Sequence, residues 1–314
     1  MELSIVTTLY NSSEYIQEFY KRIVTCAEKI SNNYEIVFVN DASPDDSLRK
    51  VLELYASNNN IQVVDLAINA GHHQALMSGL QYAKGDLIFL IDVDLEEPPE
   101  LLATFWSEYH ASKGIDMIYG VQDQRKGGWF EKISGKLFYK AFNFLSKVKI
   151  PENFLTVRLM SRRYVNQLLR FKESDLMFSL AVELTGFDRR AIPVCKGSRE
   201  TTSYNFLKKT YIALNAIVSA TTKPLWMAFF LGLTVATLSC IYIIKIIIFA
   251  LMYSSIPKGW PALIVSVWFF SGLIIMFLGL IGLYLAKMFN EVKRRPVSIL
   301  RQHYVSEKGN TNCD

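Results

Sequence analysis

The chain has 314 residues, 51% of them hydrophobic and 20% charged, with a formal net charge of +5. That length suits one or two domains with a sizeable core. Four scattered cysteines (Cys26, Cys195, Cys240 and Cys313) exclude a disulfide framework or a cysteine metal site, and the modest positive charge, much of it beside apolar stretches, points to anionic headgroups rather than nucleic acid.

The amino terminus has no basic region and no cleavage site, so no signal peptide is read. Residues 4–9 make a short β-rich run, and Asn11-Ser12-Ser13-Glu14 is a cap-like entry into a helix over 14–30. A second strand over 34–39 ends in the polar turn Asn40-Asp41-Ala42-Ser43-Pro44-Asp45, and residues 47–57 have helical spacing. A third strand spans 61–66, and a helix with small residues on one side spans 73–83. The turn Lys84-Gly85-Asp86 introduces a fourth strand over 87–91; Pro98-Pro99 starts a helix over 99–113, and residues 116–119 form a further strand. Strands alternating with helices predict a mostly parallel, Rossmann-like α/β sheet.

Composition changes class after residue 224. Residues 225–253 are apolar except for Lys245 and a few hydroxyls, and 262–286 carry no charge. Each exceeds the roughly 20 residues a helix needs to cross a bilayer. The short turn-forming link between them predicts a two-helix transmembrane hairpin with both ends on one side. Lys208, Lys209 and Lys223 precede it, and Lys287, Lys293, Arg294, Arg295 and Arg301 follow it, so both flanks are expected in the cytoplasm. The expected organisation is a cytoplasmic domain over 1–205, a juxtamembrane amphipathic helix over 206–224, helices over 225–253 and 262–286, and a basic cytoplasmic tail over 287–314. Residues 130–149, where aromatics alternate with lysines, suit a second interfacial helix.

No GxGxxG follows the first strand and no GxxxxGK[ST] loop is present, so the usual dinucleotide and P-loop readings lose their support. Polar residues gather instead just past four strand ends: Tyr10-Asn11, Asn40-Asp41, Asn69-Ala70-Gly71 and Asp92-Val93-Asp94. In open α/β sheets ligands bind at that rim. Side chains two apart on a strand share a face, so Asp92 and Asp94 would present two hard oxygen donors suited to a divalent cation that also holds phosphates. A bare DxD reads as readily as a solvated acidic turn; the order of the four clusters separates the two readings.

That order resembles family 2 glycosyltransferases of the GT-A fold. Thr8-Leu9-Tyr10-Asn11 is similar to the family's first-strand PxYN turn, and Asn40-Asp41-Ala42-Ser43-Pro44-Asp45 to its DDGSxD turn. Asn69-Ala70-Gly71 with Ala75, Gly79, Ala83 and Gly85-Asp86 resembles its NxG stretch, and Asp92-Val93-Asp94-Leu95-Glu96-Glu97-Pro98-Pro99-Glu100 resembles the DADLQDPPE segment of polyprenyl-phosphate glycosyltransferases. The resemblance runs through Pro151-Glu152-Asn153 and Arg158-Leu159-Met160 to Lys293-Arg294-Arg295-Pro296, nearest to bactoprenol glucosyltransferases and hairpin-bearing dolichol-phosphate mannose synthases.

The resemblance implies inverting transfer of a sugar from a nucleotide-diphosphate donor, a UDP-sugar before others, to a polyprenyl phosphate, undecaprenyl phosphate before others, in a bacterial inner membrane. Thr8, Tyr10, Asn11, Asp41, Asn69 and Gly71 would bind the nucleotide; Asp92 and Asp94, with Glu96, would hold Mg²⁺ or Mn²⁺; Arg125, Ser134 and Arg158 would meet the acceptor phosphate. His72 and His73 read as pocket-lining groups rather than bases. The chain departs from the family pattern at Gln122, Thr156, Ser161 and Gly197, which bears on the sugar more than on the reaction class. A hydroxyl-directed transferase, a processive synthase (on the near-match Gln167-Leu168-Leu169-Arg170-Phe171) and an inactive membrane scaffold are the rival readings. The same resemblance, to hairpin-anchored relatives, implies a homo-oligomer.

Overall fold

The computed structural model describes residues 1–112, 114–122, 140, 144, 154–174, 176–195, 218, 221–253 and 259–306. Two compact units divide the chain: one holds residues 1–139, 148–203 and 295–314, the other 140–147 and 204–294.

The first unit is built on an eight-stranded sheet of order β7-β5-β6-β4-β1-β2-β3-β8 among the described residues. In chain order its elements are β1 (Leu3–Leu9), α1 (Ile16–Glu28), β2 (Tyr34–Asn40), α2 (Ser47–Ser57), β3 (Ile61–Leu66), α3 (His72–Tyr82), β4 (Leu87–Leu90), α4 (Leu101–Ala111) and β5 (Met117–Gln122). There follow β6 (Phe154–Ser161), α5 (Arg162–Leu168), α6 (Phe178–Leu184), β7 (Arg189–Val194) and, after the second unit, β8 (Leu300–Val305). β1 to β4 are buried along their whole length, as parallel strands covered on both faces must be. Their continuous apolar runs are therefore what the fold requires. β6 and β8 run against the other six strands, so the sheet is mixed but mostly parallel.

Helices cover both faces. Ile16, Phe19, Ile23, Val51, Leu102 and Phe105 pack with Leu3, Ile5 and Phe38 on one side. Ala75, Leu76, Leu80, Val165, Leu168 and Phe178 pack with Val6, Val37 and Leu90 on the other. α3 lies so close to the sheet that a Cβ on Gly79 would stand 2.5 Å from Val6 Cγ1 and 2.7 Å from Val39 Cγ2.

Three strands escape the sequence reading. β6 is interrupted by Thr156 and Arg158, and the edge strand β7 is half exposed. β8 corrects the expected organisation: residues 300–305, expected within a basic tail, pair antiparallel with β3, Asp65 opposite Gln302. The domain expected over 1–205 thus includes a strand from beyond residue 294.

The second unit contains α7 (Lys223–Tyr253) and α8 (Trp260–Lys293), of 31 and 34 residues. Both overrun their expected bounds. By length and composition, Phe270–Lys293 is the one stretch among the described residues able to cross a membrane, and Lys223–Val235 is a shorter apolar helix. Trp226, Phe229, Phe230, Ile274 and Ile275 are exposed. Tyr284 donates its hydroxyl to the Thr221 carbonyl at 2.7 Å, and Arg294 at φ +47° ends α8 just before Pro296. The link between the helices and the juxtamembrane segment 206–217 lie outside the described residues.

Candidate active site

Four neighbouring strands end on one rim, and the ends of three of them, β1, β2 and β3, with their loops build a cavity of about 240 Å³ lined by Thr8, Tyr10, Asp41, Asn69, Gly71 and His72. Thr8 lies in β1, and Tyr10 follows it, half exposed. Asp41 extends the β1–β2 ladder by one bond, from its N–H to the Leu9 carbonyl at 3.1 Å. Its buried carboxylate accepts the backbone N–H groups of Ala70 at 2.6 Å and Gly71 at 3.1 Å, while Asn69 donates to the Asp41 carbonyl at 3.2 Å. One acid therefore shapes the β3–α3 loop. Gly71, at φ +85°, takes a backbone conformation that disfavours a side chain. The loop then enters α3 at His72, whose Nδ1 lies 3.3 Å from Thr8 Oγ1.

Asn11 does not line the cavity. It sits at φ +51° and donates its N–H to Ser43 Oγ at 2.8 Å, tying the β1 turn to the β2 turn. Asp45 organises the second turn: it accepts from Ser43 Oγ at 2.6 Å and from the N–H groups of Ser47 and Ser13. Burial alone would raise its carboxyl, but these donors outweigh it and hold the group well below the usual carboxylate range.

Asp92 and Asp94 sit differently from the strand-alternation argument. β4 stops at Leu90, so the two acids are carried by a turn, with Leu95 at φ +60°. The Glu96 N–H donates to Asp94 Oδ1 at 3.1 Å. Asp92 Oδ1 is buried, lies 3.7 Å from His72 Nε2 and makes no hydrogen bond with any described residue. Among the described residues no group of three His, Cys, Asp or Glu side chains converges as a metal site, so Glu96 does not complete a preformed triad. A buried anionic oxygen without a hydrogen-bond donor, on a turn that carries a second carboxylate two residues on, is still a donor set that suits a hard divalent cation completed by ligand oxygens.

His72 also borders a second cavity of about 180 Å³, lined with His73, Phe154, Thr156, Arg158 and Phe178 among others. Arg158 stands opposite Leu90 in the β4–β6 register, which brings it near the Asp92 turn. It is 2% exposed; Nε donates to the Thr156 carbonyl and Nη2 to the Leu155 carbonyl, each at 2.8 Å. Its guanidinium lies over the rings of Phe154 and Phe178, each at 4.7 Å. Nη1 has no hydrogen-bond partner among the described residues. Burial brings this guanidinium down to about 10, with Tyr164, Glu97 and Asp92 acting the other way, so it stays charged at neutral pH. Arg125 and Ser134, the other expected acceptor contacts, lie outside the described residues, as does most of the interfacial segment 130–149.

Residues 4–169, just over half of the chain, match the family described as glycosyl transferase family 2. The chain belongs to that family. A Mycobacterium tuberculosis protein named among "putative glycosyltransferases" is 39% identical over 307 residues, covering 98% of this chain and 90% of its own. The SfII prophage-derived bactoprenol glucosyl transferase of Shigella flexneri is 31% identical over 313 residues, 99% of this chain and 100% of its own. Among solved structures, a mannosyltransferase from Pyrobaculum calidifontis in complex with GDP-Man and Mn²⁺ matches with a TM-score of 0.49 at 13% identity, over 69% of this chain and 63% of that one. At that level it adds nothing to the assignment. The protein is a glycosyltransferase with a GT-A-like α/β sheet.

Within this family 2 enzyme, sequence reasoning missed two buried supports. Glu97 is 2% exposed and accepts the Thr156 N–H at 3.2 Å, fastening the Asp92–Asp94 turn to β6. Its only signal was its place within the DLEEPPE segment. Asn40 and Asp65 are each 1% exposed and joined at 2.8 Å beneath the Asp41 turn. Two polar residues inside apolar strands were the signal there, since such groups need partners when buried.

Proposed function

We propose that this glycosyltransferase moves a sugar from a nucleotide-diphosphate donor, UDP-linked in the first instance, to a polyprenyl phosphate such as undecaprenyl phosphate at the cytoplasmic face of a bacterial inner membrane. The observation that carries the reading is the cavity in which Thr8, Tyr10, Asp41, Asn69 and Gly71 meet, with His72 reaching from it towards Asp92. It has the residue types a nucleoside needs: an aromatic face, backbone and amide groups, and an acid for the base.

Asp92 and Asp94 would hold Mg²⁺ or Mn²⁺ against the donor diphosphate, with Glu96 beside them. When bound, such an ion stabilises the negative charge that gathers on the leaving diphosphate. An oxygen of the acceptor phosphate forms a bond to the anomeric carbon on the face opposite the diphosphate. The bond from that carbon to the diphosphate oxygen breaks, and its electron pair leaves with the nucleoside diphosphate. A phosphate monoester has a second pKa of about 6, so at neutral pH it is already a dianion and needs no general base. His72 and His73 then line the path rather than take a proton. Arg158 lines the second cavity and keeps a buried Nη1 without a hydrogen-bond partner among the described residues; with Arg125 and Ser134 it would orient the acceptor phosphate.

The membrane reading supplies the acceptor. α7 and α8 would form a hairpin that brings the reaction to the lipid headgroup, because a polyprenyl chain leaves the bilayer at a cost of about 0.8 kcal/mol per CH₂. The stretches 148–203 and 295–314, on either side of the helix pair in sequence, belong to one folded unit, which a hairpin with its ends on one side satisfies and a single crossing does not. Binding of UDP or GDP to purified protein tests the donor reading. Affinity that depends on Mn²⁺ or Mg²⁺ is expected, and no binding with either ion present rejects it.

A further inference from the structure

We propose that the segment returning from α8 positions the nucleotide cavity, with Arg301 as the positioning residue acting through Asp65 and Asn40. This rests on the reading of the rim cavity as the nucleotide site.

Three ties run from residues 298–301 to three different elements that build the cavity. The first is a chain of polar groups that starts at the surface and ends buried. Arg301 Nη1 lies 3.3 Å from Asp65 Oδ2 in β3, and Asp65 Oδ1 accepts from Asn40 Nδ2 at 2.8 Å. Asn40 Oδ1 in turn accepts the Ser43 N–H at 3.3 Å, and Asn40 directly precedes Asp41. The second tie holds both backbone groups of Ala67: its N–H donates to the Ile299 carbonyl at 2.7 Å, and its carbonyl accepts from Arg301 Nη2 at 3.1 Å. Ala67 opens the loop whose Ala70 and Gly71 N–H groups grip the Asp41 carboxylate. The third joins Ser298 to Ser78 at 3.0 Å on α3, the helix that begins at His72.

The β3–β8 register slips between Asp65 and Leu66, where the chain turns from ladder to loop. Irregularities of this kind re-aim side chains beside functional sites. Asp65 is 1% exposed, whereas Arg301 is about half exposed. Removing the guanidinium therefore leaves a buried carboxylate short of its cation, and the local structure must rearrange around it. The rearrangement has a direct route, through Asn40, to the turn carrying Asp41.

A plain structural role for β8, covering an exposed sheet edge, makes a different forecast. His303 lies on the same strand, and its Nε2 is 2.9 Å from Gln62 Oε1. Gln62 bonds to Glu35, which accepts from Ser4 and from the Lys84 N–H, away from the cavity. His303 also packs on Tyr82 at the far end of α3, ring centroids 4.5 Å apart, so its loss loosens β8 and that end of the helix but leaves the Arg301–Asp65–Asn40 chain intact.

The test uses the full chain in detergent or nanodiscs with Mn²⁺, measuring UDP and GDP binding by calorimetry alongside donor and acceptor KM and thermal midpoints. For Arg301→Ala we expect about tenfold weaker binding of the nucleotide the wild type prefers, with donor KM raised and acceptor KM unchanged. Arg301→Lys should recover most of that loss. His303→Ala should lower the midpoint yet keep nucleotide affinity within about twofold of wild type. Should Arg301→Ala fail to accumulate, Arg301→Gln against His303→Gln makes the same comparison. Unchanged affinity in the Arg301 variants, or equal losses at Arg301 and His303, overturns the positioning role. A wild type that binds neither UDP nor GDP overturns the nucleotide reading itself, and this inference with it.

Discussion

Replacing Asp41 separates a site built by one carboxylate from a rim of independent polar groups. In the native cavity both oxygens are used, accepting from the Ala70 N–H at 2.6 Å and the Gly71 N–H at 3.1 Å. A hydrogen bond to a charged group contributes about 1.5–3 kcal/mol. Ala70 and Gly71 are half-buried, so water recovers part of the loss in Asp41→Ala. The net cost of re-forming the loop around a ligand is then about 1.5–3 kcal/mol, equivalent to a tenfold to hundredfold fall in nucleotide affinity. Asp41→Asn keeps one acceptor but sets an NH₂ group against the other backbone N–H, so its loss should be about tenfold. Calorimetric titration of UDP and GDP into wild type and both variants measures this directly. Asp41→Asn binding as tightly as wild type would show that the carboxylate does not organise the loop.

Asp94→Asn should reduce sugar transfer at least about a hundredfold while leaving membrane insertion intact, measured by product formation and by membrane fractionation; retained turnover would refute the assignment of Asp94 to the diphosphate end of the site. At Gly85, an added Cβ would stand 2.4 Å from the Ser4 backbone nitrogen. Gly85→Ala should therefore cost about 1–3 kcal/mol and lower the thermal midpoint by roughly 3–10 °C. The Asp45 carboxyl is depressed in the fold, so its stabilising contribution is complete above the ordinary value of 3.8 and is lost as pH falls below it. Asp45→Asn should thus melt lower than wild type at neutral pH but show a shallower fall in midpoint with acid; identical acid profiles would count against the Asp45 turn.

The amino-terminal half of the sheet was legible because its strands are uninterrupted apolar runs separated by turn residues. Residues 61–66 were read to the residue, and 34–39 stopped one short of Asn40. The rim followed from the same logic: polar clusters just past strand ends must face the same edge when the strands are parallel. What stayed hidden depends on distant pairing. β6 carries Thr156 and Arg158 inside the sheet because the neighbouring carbonyls and aromatic rings satisfy the arginine, and no local pattern announces that. β8, with Arg301, Gln302 and His303 in succession, resembles a solvated tail, and only its pairing with β3 makes it a strand. Asp92 and Asp94 do follow the end of β4, but strand alternation does not pair them, since both carboxylates lie beyond Leu90 in a turn.

The central claim is a sugar transfer from a nucleotide-diphosphate donor to a lipid phosphate. The most direct measurement is a screen of radiolabelled UDP- and GDP-sugars with undecaprenyl phosphate and dolichyl phosphate, with Mg²⁺ or Mn²⁺ and with chelator. The account predicts label in the organic phase from one donor, dependent on the ion and abolished in Asp94→Asn. Metal-independent transfer, or label passing only to a sugar hydroxyl, would contradict it.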